Sequence, residues 1–334
     1  MKNEVLKILK NNIDSYTSGE DLSRILGVSR TSIWKYISSL KKEGYEFDSS
    51  TKLGYRLTKC PDILTFNEVE KFLSTSFIGR NYIHFNSIDS TNTKAKDLAK
   101  KGSPNGTVVI CEEQSNGRGR LGRSWFSPKG KGLYFSIILR PNLSPLDISK
   151  LTLVGGAAVW KALSSLNIGS AIKWPNDIFI NNRKVSGILT EISGELNQIN
   201  YAVMGIGINV NTLKSEIPED LREIATSLLI ETNEIIDRKV LLSEILNIFE
   251  RLYIDFVNSG SLKESLQICR ENSLVLNKTL NCISTRESFT AKAKDINDNG
   301  ELIVELSDGS TKNILCGEIS IRNLYCLLYT SDAA

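Results

Sequence analysis

The stretch "QSNGRGRLGRSW", residues 114–125, interleaves three arginines with three glycines directly after "TVVICEE" at 107–113, which reads as a buried strand. It contains "GRGRLG", a literal GxGxxG, and the fold turns on what that match is worth. The dinucleotide fingerprint needs those glycines between a strand and a helix of a βαβ unit, and a phosphate loop needs GxxxxGK[ST]. Here the chain continues as "RSWFSPKGKGLYFSIIL", with Pro128, two more glycines and then a second apolar run. No helix begins there, so a Rossmann domain is excluded. A solvated turn or a disordered tail is the plain alternative for such a composition. Against it, the stretch is short and lies between the apolar runs 108–111 and 133–139, so a sheet tethers both ends. Arginine brings fixed charge and a fork of donors, and glycine lets backbone approach a ligand closely. The loop reads as an anion clamp.

With 334 residues the chain is long enough for two or three domains. No apolar run approaches the ~18 residues that suggest a membrane helix, so a cytoplasmic protein with no membrane partner is expected. The six cysteines, at 60, 111, 269, 282, 316 and 326, form no CxxC pair, and His84 is the only histidine. A disulfide framework, a zinc site and a Ser/His/Asp relay are therefore disfavoured. The net charge of +3 is uneven: residues 1–59 hold 11 Lys/Arg against 7 Asp/Glu, and the remainder 30 against 31. The basic excess is N-terminal, as a nucleic-acid-binding head requires.

In residues 1–61, Val5, Leu6, Ile8, Leu9 and Ile13 fall mostly on one helical face. Ser18 with Asp21 three residues on announces a second helix, Gly27 ends it, and Ser29 caps a third carrying Ile33, Ile37 and Leu40. That is a helix-turn-helix, and "YEFDSSTKLGYRL" adds a β-hairpin wing. The third helix would enter the major groove, with Arg30, Thr31, Ser32 and Lys35 as the DNA contacts. A helical hairpin used only for packing is the alternative.

Residues 62–270 mix helices at 90–101, 146–166 and 238–257 with strands at 108–111, 133–139, 171–174, 178–180, 185–192 and 202–210. Short turns such as "INNRKV" point to an α+β layer rather than a wound parallel sheet. Residues 271–323 are strand-like, with turn signals at "DNG" and "SDGS", and fit a small β-barrel. The expected class is α+β multidomain: a winged helix-turn-helix, a central mixed α/β domain and a small SH3-like β-barrel. The tail at 324–334 receives no function.

Four stretches of the middle segment look chemical. "DSTN" at 89–92 stands where a strand gives way to a helix, so Ser90 could be only an N-cap. "KWPNDIFINNRKVSGIL" at 173–189 ends one strand on Lys173 and starts another on Lys184. Solvated lysines on a hairpin would look the same. "MGIGINVN" at 204–211 sets two glycines in an apolar strand, a sign that a ligand or another backbone lies close.

In combination and order, "DSTN", Gln114 with "GRGRLGRSW", "KWPND", "RKVSGIL", "GIGINVN" and "IATSL" at 224–228 resemble the biotin protein ligases of the bifunctional ligase and biotin-operon-repressor type. With the head and the C-terminal "GEIS" segment, the likeness spans roughly residues 1–323. The resemblance implies ATP-dependent formation of biotinyl-5′-AMP, then transfer of biotin to a lysine of a biotin carboxyl carrier protein. It further implies that Ser90, Thr91, Asn92 and Gln114 hold the biotin rings, and that Arg118, Gly119, Arg120 and Lys184 hold the carboxylate and phosphate. Arg118, Arg120 and Lys184 would be the catalytic cations. Asn176, Asp177 and Asn209 would lie near the nucleotide or its Mg²⁺. Operator DNA and a homodimer are the further partners implied. A sensor transcription factor without ligase activity, and a lipoate ligase, are the alternatives.

Overall fold

The computed structural model describes residues 1–13, 15–195, 198–283, 288–315 and 318–321, so the tail at 324–334 and the first residue of "GEIS" lie outside the described residues. The chain divides into two compact units, Met1–Lys71 and Phe72–Ala334.

The first unit holds α1 (Lys2–Asn11), α2 (Gly19–Leu26), α3 (Arg30–Lys42), the strands β1 (Glu46–Ser50) and β2 (Gly54–Lys59), and the single turn α4 (Phe66–Val69). Ser18 Oγ accepts from Asp21 N at 3.0 Å and Ser29 Oγ accepts from Ser32 N at 3.1 Å, each cap contributing about 1 kcal/mol. Gly27, at φ 64°, ends α2 in the left-handed conformation that glycine adopts without strain. Val5, Leu6, Leu9, Leu22, Ile33, Ile37, Leu40 and Leu57 close one core. Ile13 corrects the sequence reading. The helix stops at Asn11, Asn12 Nδ2 turns back to Ile8 O at 3.1 Å, and Ile13 is left exposed. The wing pairs antiparallel, and Tyr55 bridges to Thr17. Gly54 there has φ 100° and leaves only 2.2 Å between an added Cβ and Thr17 O, so no other residue fits.

The second unit opens with β3 (Tyr82–Phe85), α5 (Thr91–Lys100), β4 (Thr107–Cys111) and β5 (Gly132–Leu139). Next come α6 (Pro145–Ile148), α7 (Leu151–Ser165), β6 (Ala171–Lys173), β7 (Asp177–Ile180), β8 (Arg183–Glu195) and β9 (Gln198–Asn209). The strands form one sheet of order β3-β4-β5-β9-β8-β7-β6, in which β3–β4 alone is a parallel pair. "GRGRLG" thus joins two antiparallel strands, as the missing helix requires. The helix expected at 146–166 is two helices: Ser144 caps α6, the Lys150–Asp147 pair closes its turn, and α7 restarts at Leu151.

Three further helices come next: α8 (Leu228–Thr232), α9 (Arg238–Ser259) and α10 (Lys263–Glu271). Arg238, fully buried at the start of α9, donates to Glu112 Oε2 at 2.9 Å and Gly132 O at 3.1 Å, fastening α9 to the ends of β4 and β5. Beyond α10, β10 (Thr279–Ile283), β11 (Ser288–Ile296), β12 (Leu302–Glu305), β13 (Thr311–Ile314) and β14 (Glu318–Ile321) form an antiparallel sheet of order β13-β12-β11-β10-β14. Leu302 and Val304 are buried, and both turn signals hold left-handed glycines, Gly300 and Gly309.

Glu264 of α10 accepts from Arg251 of α9 at 2.8 Å and Lys161 of α7 at 2.6 Å. These bonds, the one from Arg251 foremost, hold its carboxyl at about 2 against an ordinary value of 4.5. A depressed carboxyl stabilises the fold above its unfolded pKa, and that contribution fades as pH falls from about 4.5 toward 2. The group is partly solvated, so the contribution is at most about 1 kcal/mol. Thermal melts should show Glu264→Gln below the wild type at neutral pH, the gap narrowing below about pH 4.5 and closing only near pH 2.

Candidate active site

One cavity of about 910 Å³ is lined by Ser90, Thr91, Asn92, Gln114, Arg118, Gly119, Arg120, Asn176, Asp177, Lys184 and Asn209. Every residue that the sequence nominated for the ligand end of the chemistry therefore faces the same space, although five separate segments supply them. The start of α5 brings the first three, the loop after β4 the next four, and the β6–β7 turn Asn176 with Asp177. Lys184 stands near the start of β8 and Asn209 at the end of β9.

The arginine loop is a compact hairpin. Trp125 N donates to Gly117 O at 2.9 Å, and Gly119 N donates to Arg123 O at 2.7 Å. Gly117 has no room for a side chain: an added Cβ would stand 2.5 Å from Trp125 O and 2.9 Å from both Gln114 Nε2 and Ser127 Oγ. Arg120 Nη1 donates to Asn176 Oδ1 at 2.8 Å, and Asn176 Nδ2 donates to Ile188 O at 3.0 Å, so the loop is tied to "KWPND" and to β8. Lys184 Nζ lies 2.7 Å from Asp177 Oδ1 and 5.4 Å from the ring centre of Trp125. Asn209 Nδ2 donates to Thr226 O at 2.9 Å, joining β9 to "IATSL".

The cavity floor is polar and ordered. Gln114 Oε1 accepts from Thr91 N at 2.9 Å and from Thr91 Oγ1 at 3.2 Å. Ser90 occupies the N-cap position of α5 but makes no side-chain capping bond, and it is buried in the cavity wall. The capping explanation for "DSTN" therefore fails. The two glycines of "GIGINVN" line the cavity, and side chains of this chain also lie against them. An added Cβ would come 2.0 Å from Asn92 Oδ1 at Gly205 and 2.5 Å from Trp125 Nε1 at Gly207. Gly207→Ala should displace the indole, costing about 1–2 kcal/mol of stability by overpacking. Calorimetric unfolding would read the loss.

Sequence reasoning assigned no role to Trp125, Ser136 or Glu191. Ser136 left a signal, as the one serine in the apolar run "LYFSIIL", and the structure buries it fully. Glu191 carried none, because a carboxylate on a strand is ordinarily solvated.

On the head, Arg30, Thr31 and Lys35 are exposed on α3. Arg30 pairs with Glu20 of α2, and Ser32 is the partner of the Ser29 cap. Among the described residues no helix is long and apolar enough to cross a membrane.

Comparison with known proteins agrees with this geometry. Residues 84–209 match the model of the biotin/lipoate A/B protein ligase family, residues 2–56 an HTH domain, and residues 275–322 the biotin protein ligase C terminal domain. The bifunctional ligase/repressor BirA of Bacillus subtilis is 36% identical over 313 residues, 93% of this chain and 96% of that protein. BirA of Escherichia coli is 30% identical over 309 residues, covering 92% and 94%. A structure of the Aquifex aeolicus biotin protein ligase in complex with biotin and ATP superposes with a TM-score of 0.63 at 34% identity, over 73% of this chain and 99% of that one. Fold and cavity together define a protein ligase carrying a DNA-binding head. The chain belongs to the biotin protein ligase family, in its bifunctional ligase/repressor branch.

Proposed function

We propose that the 910 Å³ cavity joins biotin to ATP, and that the intermediate made there both modifies a carrier protein and informs the DNA-binding head. A carboxylate oxygen of biotin attacks the α-phosphorus of ATP, the bond to the β-phosphate breaks, and pyrophosphate leaves. A lysine amine of a biotin carboxyl carrier protein then attacks the acyl carbon. The acyl–oxygen bond breaks, AMP departs and the amine gives up its proton. Both steps gather negative charge around one phosphate, so fixed cations and N–H donors aimed at it supply most of the catalysis. Lys184 and Arg118 serve the carboxylate and α-phosphate. Arg120, tied to Asn176, and Gly119 hold the loop across them. Ser90, Thr91 and Gln114 hold the rings, and Asn176, Asp177 and Asn209 lie on the nucleotide side.

Among the described lining residues Asp177 is the sole carboxylate, and Lys184 neutralises it. That suits a Mg²⁺ carried by the ATP phosphates, with Asp177 and Asn176 as the protein oxygens on offer. Such an ion would offset charge on the leaving pyrophosphate.

The convergence of Arg118, Arg120 and Lys184 on one cavity carries this reading. Purified protein should catalyse ATP–pyrophosphate exchange that requires biotin and that lipoate does not replace. Ligand binding without exchange would return the chain to a sensor. For the head, the family's repressor role and the exposed Arg30, Thr31 and Lys35 support operator DNA as partner. One recognition helix spans few base pairs, so a homodimer on a two-fold site is the working form. The need for ATP and carrier protein supports a cytoplasmic location.

A further inference from the structure

The polar groups around Asn92 form one hydrogen-bonded chain from α5 across the cavity floor to the arginine loop. Lys96 Nζ donates to Glu191 Oε1 at 2.8 Å, and Asn92 Nδ2 donates to Glu191 Oε2 at 2.9 Å. Asn92 Oδ1 stands 2.6 Å from Ser136 Oγ, which is 2.8 Å from Thr91 Oγ1. Thr91 reaches Gln114 Oε1, and Gln114 Nε2 donates to Ser127 Oγ at 2.8 Å.

Hydroxyls in such a chain either donate or accept, and a side-chain amide can turn over. An ionised carboxylate only accepts. Burial pushes the Glu191 carboxyl up, but hydrogen bonds from Lys96 and Asn92, with the charges of Lys96 and Arg118, outweigh it and hold the group below the usual carboxylate range. At the Asn92 end the direction is set chiefly by that group, with the longer 3.4 Å bond to Leu189 O agreeing with it, and at the far end Thr91 N fixes the oxygen of Gln114. Asn92 must turn its amide nitrogen to Glu191, so its oxygen faces Ser136 and takes the single Ser136 proton. The Thr91 proton then goes to Gln114 or Ser136, and the Thr91 oxygen keeps a lone pair for a donor on the ligand. Asn92 has both N–H groups engaged, by Glu191 and by Leu189 O at 3.4 Å, and Gly205 closes over its oxygen. It transmits the orientation and has no N–H to spare for a ligand.

We infer that Glu191 is a positioning residue for biotin: through Asn92 and Ser136 it fixes the hydrogen-bond direction of the cavity floor so that acceptors meet the ureido N–H groups. The inference rests on the ligase reading above. A donor/acceptor swap tests it. Glu191→Gln, which frees the amide to turn, should raise the biotin KM roughly tenfold, with the ATP KM within about twofold and the melting temperature near the wild type. Asn92→Asp alone sets two carboxylates face to face and should raise the biotin KM further. In the double variant the new amide at 191 donates to the new carboxylate at 92, whose other oxygen takes the Ser136 proton. The original direction returns, and the biotin KM should fall to within about threefold of the wild type. A residue that merely packs gives no such recovery. The inference is overturned if Glu191→Gln leaves the biotin KM unchanged, if the ATP KM rises in parallel, or if the swap is no better than the worse single variant. A wild-type protein without biotin-dependent exchange would instead sink the ligase reading itself.

Discussion

Lys184→Met is expected to lower biotin-dependent ATP–pyrophosphate exchange by about 10²–10³-fold, the usual cost of removing one preorganised donor from a developing charge. Lys184 is held by its β8 position and by two contacts, the Asp177 carboxylate at 2.7 Å and the Trp125 ring at 5.4 Å. Its N–H and C=O also bond Ile224 O at 2.8 Å and Thr226 N at 2.9 Å, so the backbone beneath the ammonium is fixed from a second segment. Methionine keeps the length and apolar stem of the side chain, which isolates the charge. The loss should fall mainly on kcat, because the cation meets its full partner only when the carboxylate and α-phosphate carry the transition-state charge. Exchange reduced less than about tenfold, or a rise confined to KM, would remove Lys184 from the catalytic cations.

How far the sequence revealed this site depends on the kind of signal each residue leaves. Arg118 and Arg120 stood out because arginines interleaved with glycines lie in a loop tethered between two apolar strands, whereas Gln114 was singled out only by the family resemblance. That β4 and β5 are not the strands of a βαβ unit was legible from the absence of a helix after "GRGRLG", and their antiparallel pairing agrees with that. Asn92 was legible as a member of "DSTN", but its partners were not. They come from β5 and β8, 44 and 99 residues away along the chain, and no local pattern carries that separation. Gly205 and Gly207 were legible as close approaches, and the identity of what approaches, Asn92 and Trp125, needed the sheet register. Ile13 failed for a local reason: its apolar face continued the helical period past the point where the Asn12 side chain takes the Ile8 carbonyl. The split at Ser149 in the helix at 146–166 hid similarly, because apolar periodicity does not register a one-turn interruption.

Arg120→Gly is expected to leave adenylate formation within reach of the wild type and to let the product escape. The side chain ties the 117–125 hairpin to Asn176, and Asn176 Nδ2 donates to Ile188 O on β8, so a charged hydrogen bond of 2.8 Å anchors the loop across the cavity. Removing it costs about 1.5–3 kcal/mol of closed-loop stability, or roughly 10–100-fold in retention of the intermediate. Glycine adds a second effect by widening the conformations open to a loop that already carries Leu121 at φ 57°. An acyl adenylate lasts only while water is kept from it, so early opening shows as free biotinyl-5′-AMP and its hydrolysis products. Gel filtration of protein loaded with labelled biotin and ATP should find the label co-eluting with the wild type and running in the small-molecule fractions for the variant. Lys184→Met makes the opposite pattern, little label formed and none released, so the two substitutions separate the cation that makes the anhydride from the one that keeps it covered. Label retained by Arg120→Gly as long as by the wild type would show that the Arg120–Asn176 tie does not hold the loop shut.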